Sequence, residues 1–190
     1  MSTTTIRADV LKALTRFVNA KETRYYLKGV LFDPRGYAVA TDGAIMMAAR
    51  IPAFAGSEFI LPIETIKLAL SMKRVEFDLD SKAIAGISFT PIEGRYPEWR
   101  RVIPTNLSGA PGWYDAVYLS KIQTALEDMT SRGRAYVHLA MNGNSGAAMV
   151  AGCPDDVVMV IMPMRIADDK KANIPAENER AKAFLRPVSA

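Results

Sequence analysis

The 190-residue chain is nearly empty of the side chains that carry most active-site chemistry: it holds one cysteine, Cys153, and one histidine, His138. A lone cysteine excludes an intrachain disulfide and suits a reducing compartment. One His and one Cys supply neither a metal cluster nor a nucleophilic Cys–His pair. The glycine-rich phosphate loops GxxxxGK[ST] and GxGxxG are absent. Asp78 and Asp80 share a strand face and read as a solvated edge rather than a catalytic pair. Together these absences argue against an enzyme, and no cofactor or metal is expected. No apolar run approaches the roughly 18 residues that span a bilayer. Residues 1–5 lack the charged-then-apolar start of a signal peptide, so a cytoplasmic protein without a membrane partner is the expectation. Neither sign of charge dominates, and the chain is only mildly basic, with 24 Lys and Arg against 20 Asp and Glu. The net charge of +4 permits nucleic acid without requiring it.

What is present is apolar: 49% of the residues are hydrophobic, enough for a core in one or two domains. Residues 6–20 read as an amphipathic helix, with Val10, Leu11, Leu14, Phe17 and Val18 on one face and Lys12 and Arg16 on the other. Strands follow over Tyr25 to Phe32, Tyr37 to Ala40 and Ala44 to Ile51, separated by the turns Asp33-Pro34-Arg35-Gly36 and Asp42-Gly43. The order then restarts. Phe59 to Leu61 is a strand, Pro62 opens a helix carrying Ile63, Ile66 and Leu70, and strands run through Val75 to Leu79 and Ile84 to Thr90. Residues 105–113 have linker composition. A third unit begins with a strand at Ala116 to Leu119 and a helix whose capping box is Ser120 with Gln123. Strands at Val137 to Met141, Ala147 to Ala151 and Val157 to Met162 complete it, with His138 facing away from the core. Residues 167–190 form a charged tail, with a further helix over Ala176 to Leu185.

Three segments, in order, carry a resemblance. They are Arg24-Tyr25-Tyr26-Leu27-Lys28-Gly29-Val30-Leu31-Phe32 with Ala40-Thr41-Asp42-Gly43, then Glu93-Gly94-Arg95-Tyr96-Pro97-Glu98-Trp99-Arg100-Arg101-Val102-Ile103-Pro104, then Val160-Ile161-Met162-Pro163-Met164-Arg165-Ile166. They resemble signatures of the bacterial sliding clamps, the β subunit of DNA polymerase III. Ordered matches in matching context are far more specific than any one of them. The resemblance implies an α+β fold of DNA-clamp units, about one and a half clamp domains, with antiparallel sheets and helices on one face. Residues 1–104 resemble the middle clamp domain, and residues 114–166 resemble the second half of the last one.

A clamp encircles duplex DNA and tethers a polymerase, so the resemblance implies contact surfaces. Cations for non-sequence-specific contact with double-stranded DNA are Lys12, Arg16, Lys21, Lys67, Lys73, Arg74, Lys121, Arg132 and Arg134, although the same residues also fit a plain solvated face. Glu127 and Asp128 oppose that role on the third helix. A groove for the peptide motifs of DNA polymerase and other clamp-binding proteins carries over to Leu27, Thr41, Gly43, Met46, Pro97, Arg101, Val102, Val160, Met162, Pro163, Met164 and Arg165. Methionines suit such a groove because they adapt to varied apolar ligands. The sequence departs from the clamp pattern at Ala44 and Ile45, where clamps commonly carry His and Arg, and at Lys121, where an aromatic is common. A half-unit leaves a sheet edge unpaired, so a homo-oligomer is implied, either a dimer or a tetramer with as many inner helices as a clamp ring. Such a shortened form suits a phage or mobile element. The alternative is a non-encircling mimic that binds and sequesters clamp-interacting proteins. Ala183-Phe184-Leu185 in the tail is a further candidate for insertion into a groove.

Overall fold

The computed structural model describes residues 3–73, 75–130, 133–166 and 174–184. The first two units have the same order. Unit one runs β1 (Thr3–Thr5), α1 (Ala8–Thr15), β2 (Gly29–Asp33), β3 (Tyr37–Thr41) and β4 (Ile45–Arg50). Unit two runs β5 (Phe59–Pro62), α2 (Ile63–Ser71), β6 (Glu76–Asp78), β7 (Ala83–Ile84) and β8 (Ile87–Ser88). Each unit lends its first strand to the other: β1 pairs with β6, and β5 pairs with β2. The third unit is α3 (Ala116–Met129), β9 (His138–Ala140), β10 (Ala148–Ala151) and β11 (Val157–Ile161), followed by α4 (Ile174–Phe184).

The third unit joins the first through β11, which lies antiparallel to β4 with Val157 opposite Ala49 and Ile161 opposite Ile45. One seven-stranded sheet results, in the order β5-β2-β3-β4-β11-β10-β9, beside a four-stranded sheet β1-β6-β7-β8. Residues from 1–104 and from 114–166 therefore share a sheet. They also share a core, in which Leu11, Phe17, Phe32, Ile45 and Met47 join Ile122, Ala125, Met159 and Ile161. Between them, residues 104–115 take no regular structure but are tied down, Gly109 N–H donating to Met141 and Gly143 N–H to Ala110.

The large sheet is buried on both faces. Strand side chains alternate sides, so Val30, Phe32, Ala38, Ala40, Ile45, Met47, Val157 and Met159 face the helices α1, α2 and α3. Leu31, Val39, Met46, Ala48 and Val160 face the opposite side, where the segment 91–103 covers them with Trp99, Tyr96, Ile92 and Ile103. That segment is pinned at both ends. Ile92 N–H donates to Ile60, and Tyr96 Oη donates to the Val39 carbonyl at 3.3 Å. Asp33 accepts from Trp99 Nε1 at 3.3 Å and from both Arg100 guanidinium nitrogens at 3.1 and 3.0 Å.

Four local expectations need correction. The strand expected at Ala116 to Leu119 is the first turn of α3, and the cap is Asp115, whose Oδ1 accepts from Val117 N–H at 2.8 Å. Ser120 lies inside the helix, with no capping role. The first helix closes at Thr15, five residues early, although tighter turns carry on so that Phe17 still reaches the core. Tyr25–Leu27 is a short 3-10 turn, and the strand begins only at Gly29. The single strand expected over Ile84 to Thr90 is a hairpin, with Ile84 opposite Ile87. Ala85 and Gly86 form its two-residue loop at φ 53° and 77°, a pair of positive angles that matches the twist of the strands.

Candidate functional site

The chain from Thr41 to Ile45 makes a polar hub at one end of the large sheet. Thr41 Oγ1 donates to the Ile45 carbonyl at 2.7 Å and accepts from Gly43 N–H at 3.0 Å. Asp42 Oδ1 accepts from Ala44 and Ile45 N–H, both at 3.1 Å. Gly43 sits at φ 93°, a backbone angle that favours glycine, and the Arg24 guanidinium packs over it, 2.7 Å from where a Cβ would lie. Arg24 Nη2 donates to the Asp42 carbonyl at 3.0 Å. Arg24 also pairs with Glu22, and its hydrogen bonds hold the Glu22 carboxyl down to about 2.

The third unit meets this hub from two directions. Lys121 on α3 reaches Asp42 Oδ2 at 3.0 Å, a contact in which the carboxylate is almost fully buried. The Lys121 ammonium also stands 5.1 Å from the centre of the Tyr118 ring. Burial raises the Tyr118 hydroxyl above its ordinary pKa, and the nearby Asp42 charge adds to the shift. On the other side, Met162 N–H donates to the Ala44 carbonyl at 2.8 Å, and Met164 N–H donates to the Trp113 carbonyl at 2.7 Å. The arrangement fixes the chain end of β11 beside the Asp42-Gly43 turn.

The expected groove residues divide in two. Leu27, Thr41, Met46 and Val160 are buried, Met46 and Val160 within the outer-face cluster beneath Trp99, so they form a floor rather than a wall. Met162 is 38% and Met164 44% exposed, and Tyr25 and Val102 are exposed apolar residues as well. Gly43, Pro97, Arg101 and Arg165 are exposed, and Pro163 is half-buried. Met162 keeps the parity of Val160 along the chain and so follows it onto the outer face. Ile103 packs on the cluster that contains Val160, which brings Val102 to the same face. Tyr25 borders Gly94, at the start of the covering segment. Lys121 belongs to this end of the molecule, where Asp42 holds it, and Tyr118 supplies an aromatic on the same helix. Sequence reasoning left out Arg24, Asp42 and Tyr118 as site residues. Only Arg24 and Asp42 had a signal, since both lie inside quoted motifs.

The other expected cations lie on or near the helices. Lys12 Nζ and Arg16 Nε both reach Asp128 of α3 at 2.8 Å. Burial raises the pKa of Asp128, but the hydrogen bonds from Arg16 and Lys12 outweigh it and hold the carboxyl below its ordinary value. Lys67 pairs with Glu64 one turn away at 2.9 Å. Lys21 and Lys73 are exposed, Lys73 at a positive φ of 54° just beyond α2. Arg134 lies beside α3, in a hollow lined by Leu119 and Tyr136. Arg74 and Arg132 lie outside the described residues, as do tail residues 167–173 and 185–190.

Two strand-exchanged units with helices on one side of the sheets, extended by a third unit through edge pairing, define the DNA-clamp fold. No protein-family model and no curated protein sequence matches the chain. Solved structures do: the chain has the fold of bacterial DNA polymerase III β sliding clamps. It is similar to the DNA polymerase III subunit beta of Pseudomonas aeruginosa at a TM-score of 0.61 and 17% identity, over 87% of this chain and 66% of that one. A Bartonella birtlesii sliding clamp bound to griselimycin matches at 0.61 and 16% identity, over 86% of this chain and 66% of that one. The Helicobacter pylori beta clamp bound to a DNA ligase peptide matches at 0.58 and 13% identity, over 86% and 65%. The chain thus spans just under two thirds of the clamp chains it resembles.

Proposed function

We propose that this chain is a sliding-clamp-like processivity factor, a homo-oligomer that surrounds duplex DNA and tethers partner proteins. It is a tether, with no reaction of its own. Residues 1–104 act as one clamp domain, residues 114–166 as half of another, and residues 167–190 as an appendage. The observation that carries the reading is the end of β11: Met162 is held beside the Asp42-Gly43 turn by its N–H bond to the Ala44 carbonyl, and Met162 and Met164 are both exposed apolar side chains. That is an apolar surface with a few fixed polar groups, the chemistry that accepts a short hydrophobic peptide. A likeness to clamps solved with a DNA ligase peptide and with griselimycin supports it. DNA would lie along α1, α2 and α3, touching Lys12, Lys21, Lys67 and Lys73 through phosphates alone, as sliding requires.

The test has two arms. The protein should remain on nicked circular duplex and run off once the circle is linearised. A clamp-binding peptide should bind the wild type and lose at least about tenfold in affinity to Met162→Asp, since burying a carboxylate in an apolar site costs well over 1.4 kcal/mol. Equal retention on linear and circular DNA removes the encircling role. A second reading, a mimic that captures clamp partners without surrounding DNA, is favoured by the ion pairs that occupy Lys12, Arg16 and Lys67. It predicts peptide binding with indifference to DNA topology.

A further inference from the structure

The repeat within this chain shows what one of its surfaces lacks. In the second unit, β6 is covered along its outer edge by β1, with Thr3, Thr4 and Thr5 opposite Asp78, Phe77 and Glu76. Its helix α2 lies beside α1. The third unit repeats the order helix, strand, strand, strand, yet among the described residues β9 pairs with β10 alone. The free edge of β9 presents unpaired N–H and C=O groups. Helix α3 has α1 on one side. Its other flank, Ala116, Leu119, Ser120 and Gln123 at helical spacing, borders an open hollow of about 510 Å3. Tyr136 stands at that hollow, 80% exposed. On its other side a second hollow of about 640 Å3 passes Leu126, Met129 and Cys153.

A tyrosine ring between two hollows is a knob set beside its own hole. Association about a two-fold axis needs such a patch, because each residue must meet its complement on an identical surface. Tyrosine suits the role, with a large apolar area and few rotatable bonds. Charge is arranged the same way. Arg134 sits at the hollow, and Glu127, one turn beyond Gln123 on the same flank, offers the opposite sign. Opposite charges on one patch are what a two-fold axis can pair between copies.

The geometry points to a second copy of this chain as the occupant. Tyr136 of each copy seats in the hollow beside α3 of the other, against Leu119 and Val137, with the two β9 edges facing across the axis. This deepens the proposed function, on whose self-assembly it rests, by naming the contact through which two copies join.

The experiment is the solution mass of the full chain at micromolar concentration by sedimentation equilibrium, for wild type, Tyr136→Arg and Ala116→Trp. The first variant removes the knob and the second fills the hole. Both positions are exposed, and melting temperatures check that the fold is intact. The expected result is a wild-type dimer or a multiple of it, with both variants associating at least about tenfold more weakly. Their binding of a clamp-motif peptide should be unchanged. A wild-type oligomer that both variants leave intact overturns this contact while the proposed ring stands. A wild-type monomer overturns the contact and the ring together and leaves peptide capture as the function.

Discussion

Asp33 does more than shape the turn that its Asp-Pro-Arg-Gly sequence announces. It accepts hydrogen bonds from Trp99, Arg100 and the Arg35 backbone, and with them fastens the segment 91–103 over the outer face of the sheet. Asp33→Ala leaves the Trp99 indole and the Arg100 guanidinium without their buried acceptor. It should cost about 2–4 kcal/mol by chemical denaturation and shift Trp99 fluorescence toward that of a wetted indole. The turn was legible from four consecutive residues, and Trp99 and Arg100 stood out in the sequence. Their meeting was not legible, because nothing local to Asp33 points to partners so far along the chain. Asp128 teaches the same lesson. In the sequence it is a charge that repels phosphate, and in the fold it is the counter-ion of Lys12 and Arg16. Its folded pKa is depressed, so its contribution is complete above the ordinary value of 3.8 and is lost as pH falls through the folded value. The stability difference between wild type and Asp128→Asn in thermal melts should therefore be largest near neutrality and shrink below about pH 3.8.

At the scale of elements, the start of α3 separates what pattern can tell from what it cannot. Ala116 to Leu119 is a short apolar run, which periodicity alone cannot divide between strand and helix. Ser120 with Gln123 made a plausible capping box, yet Asp115 had already capped the helix. Asp115→Ala should lower stability by about 1 kcal/mol, whereas Ser120→Ala should change it by less than about 0.5 kcal/mol. The β7–β8 hairpin was missed for a related reason. Its loop is Ala85-Gly86, and alanine at positive φ lacks the Asn or Asp signal that marks such loops. Strands β3, β4 and β11 were legible nearly to the residue. They are continuous apolar runs bounded by turn residues, which is how strands buried on both faces read.

At the scale of the molecule, the clamp fold was legible because its three signature segments do structural work. One forms the Asp42-Gly43 hub, one covers the sheet, and one ends the strand that joins the third unit to the first. What sequence could not supply was the electrostatic state of the helical face. Lys12 and Arg16 look available for DNA, and only the packing of α1 on α3 brings Asp128 between them. This makes a prediction about the whole particle. Asp128→Asn releases two cations, so duplex DNA should bind more tightly, and the slope of log affinity against log salt should steepen by about one to two units in anisotropy titrations. No change in either quantity would place these side chains away from the DNA path.

The pairing of β11 with β4 also sets an order of events during synthesis. The residues joined there lie about a hundred positions apart, a separation that slows closure of the sheet. Until the late strand leaves the ribosome, β4 is a bare, strongly apolar edge, open to any passing extended chain. Newborn copies that begin to fold before they are finished are thus exposed to misjoining with one another, and slower translation of residues 105–161 should lower soluble yield in cells.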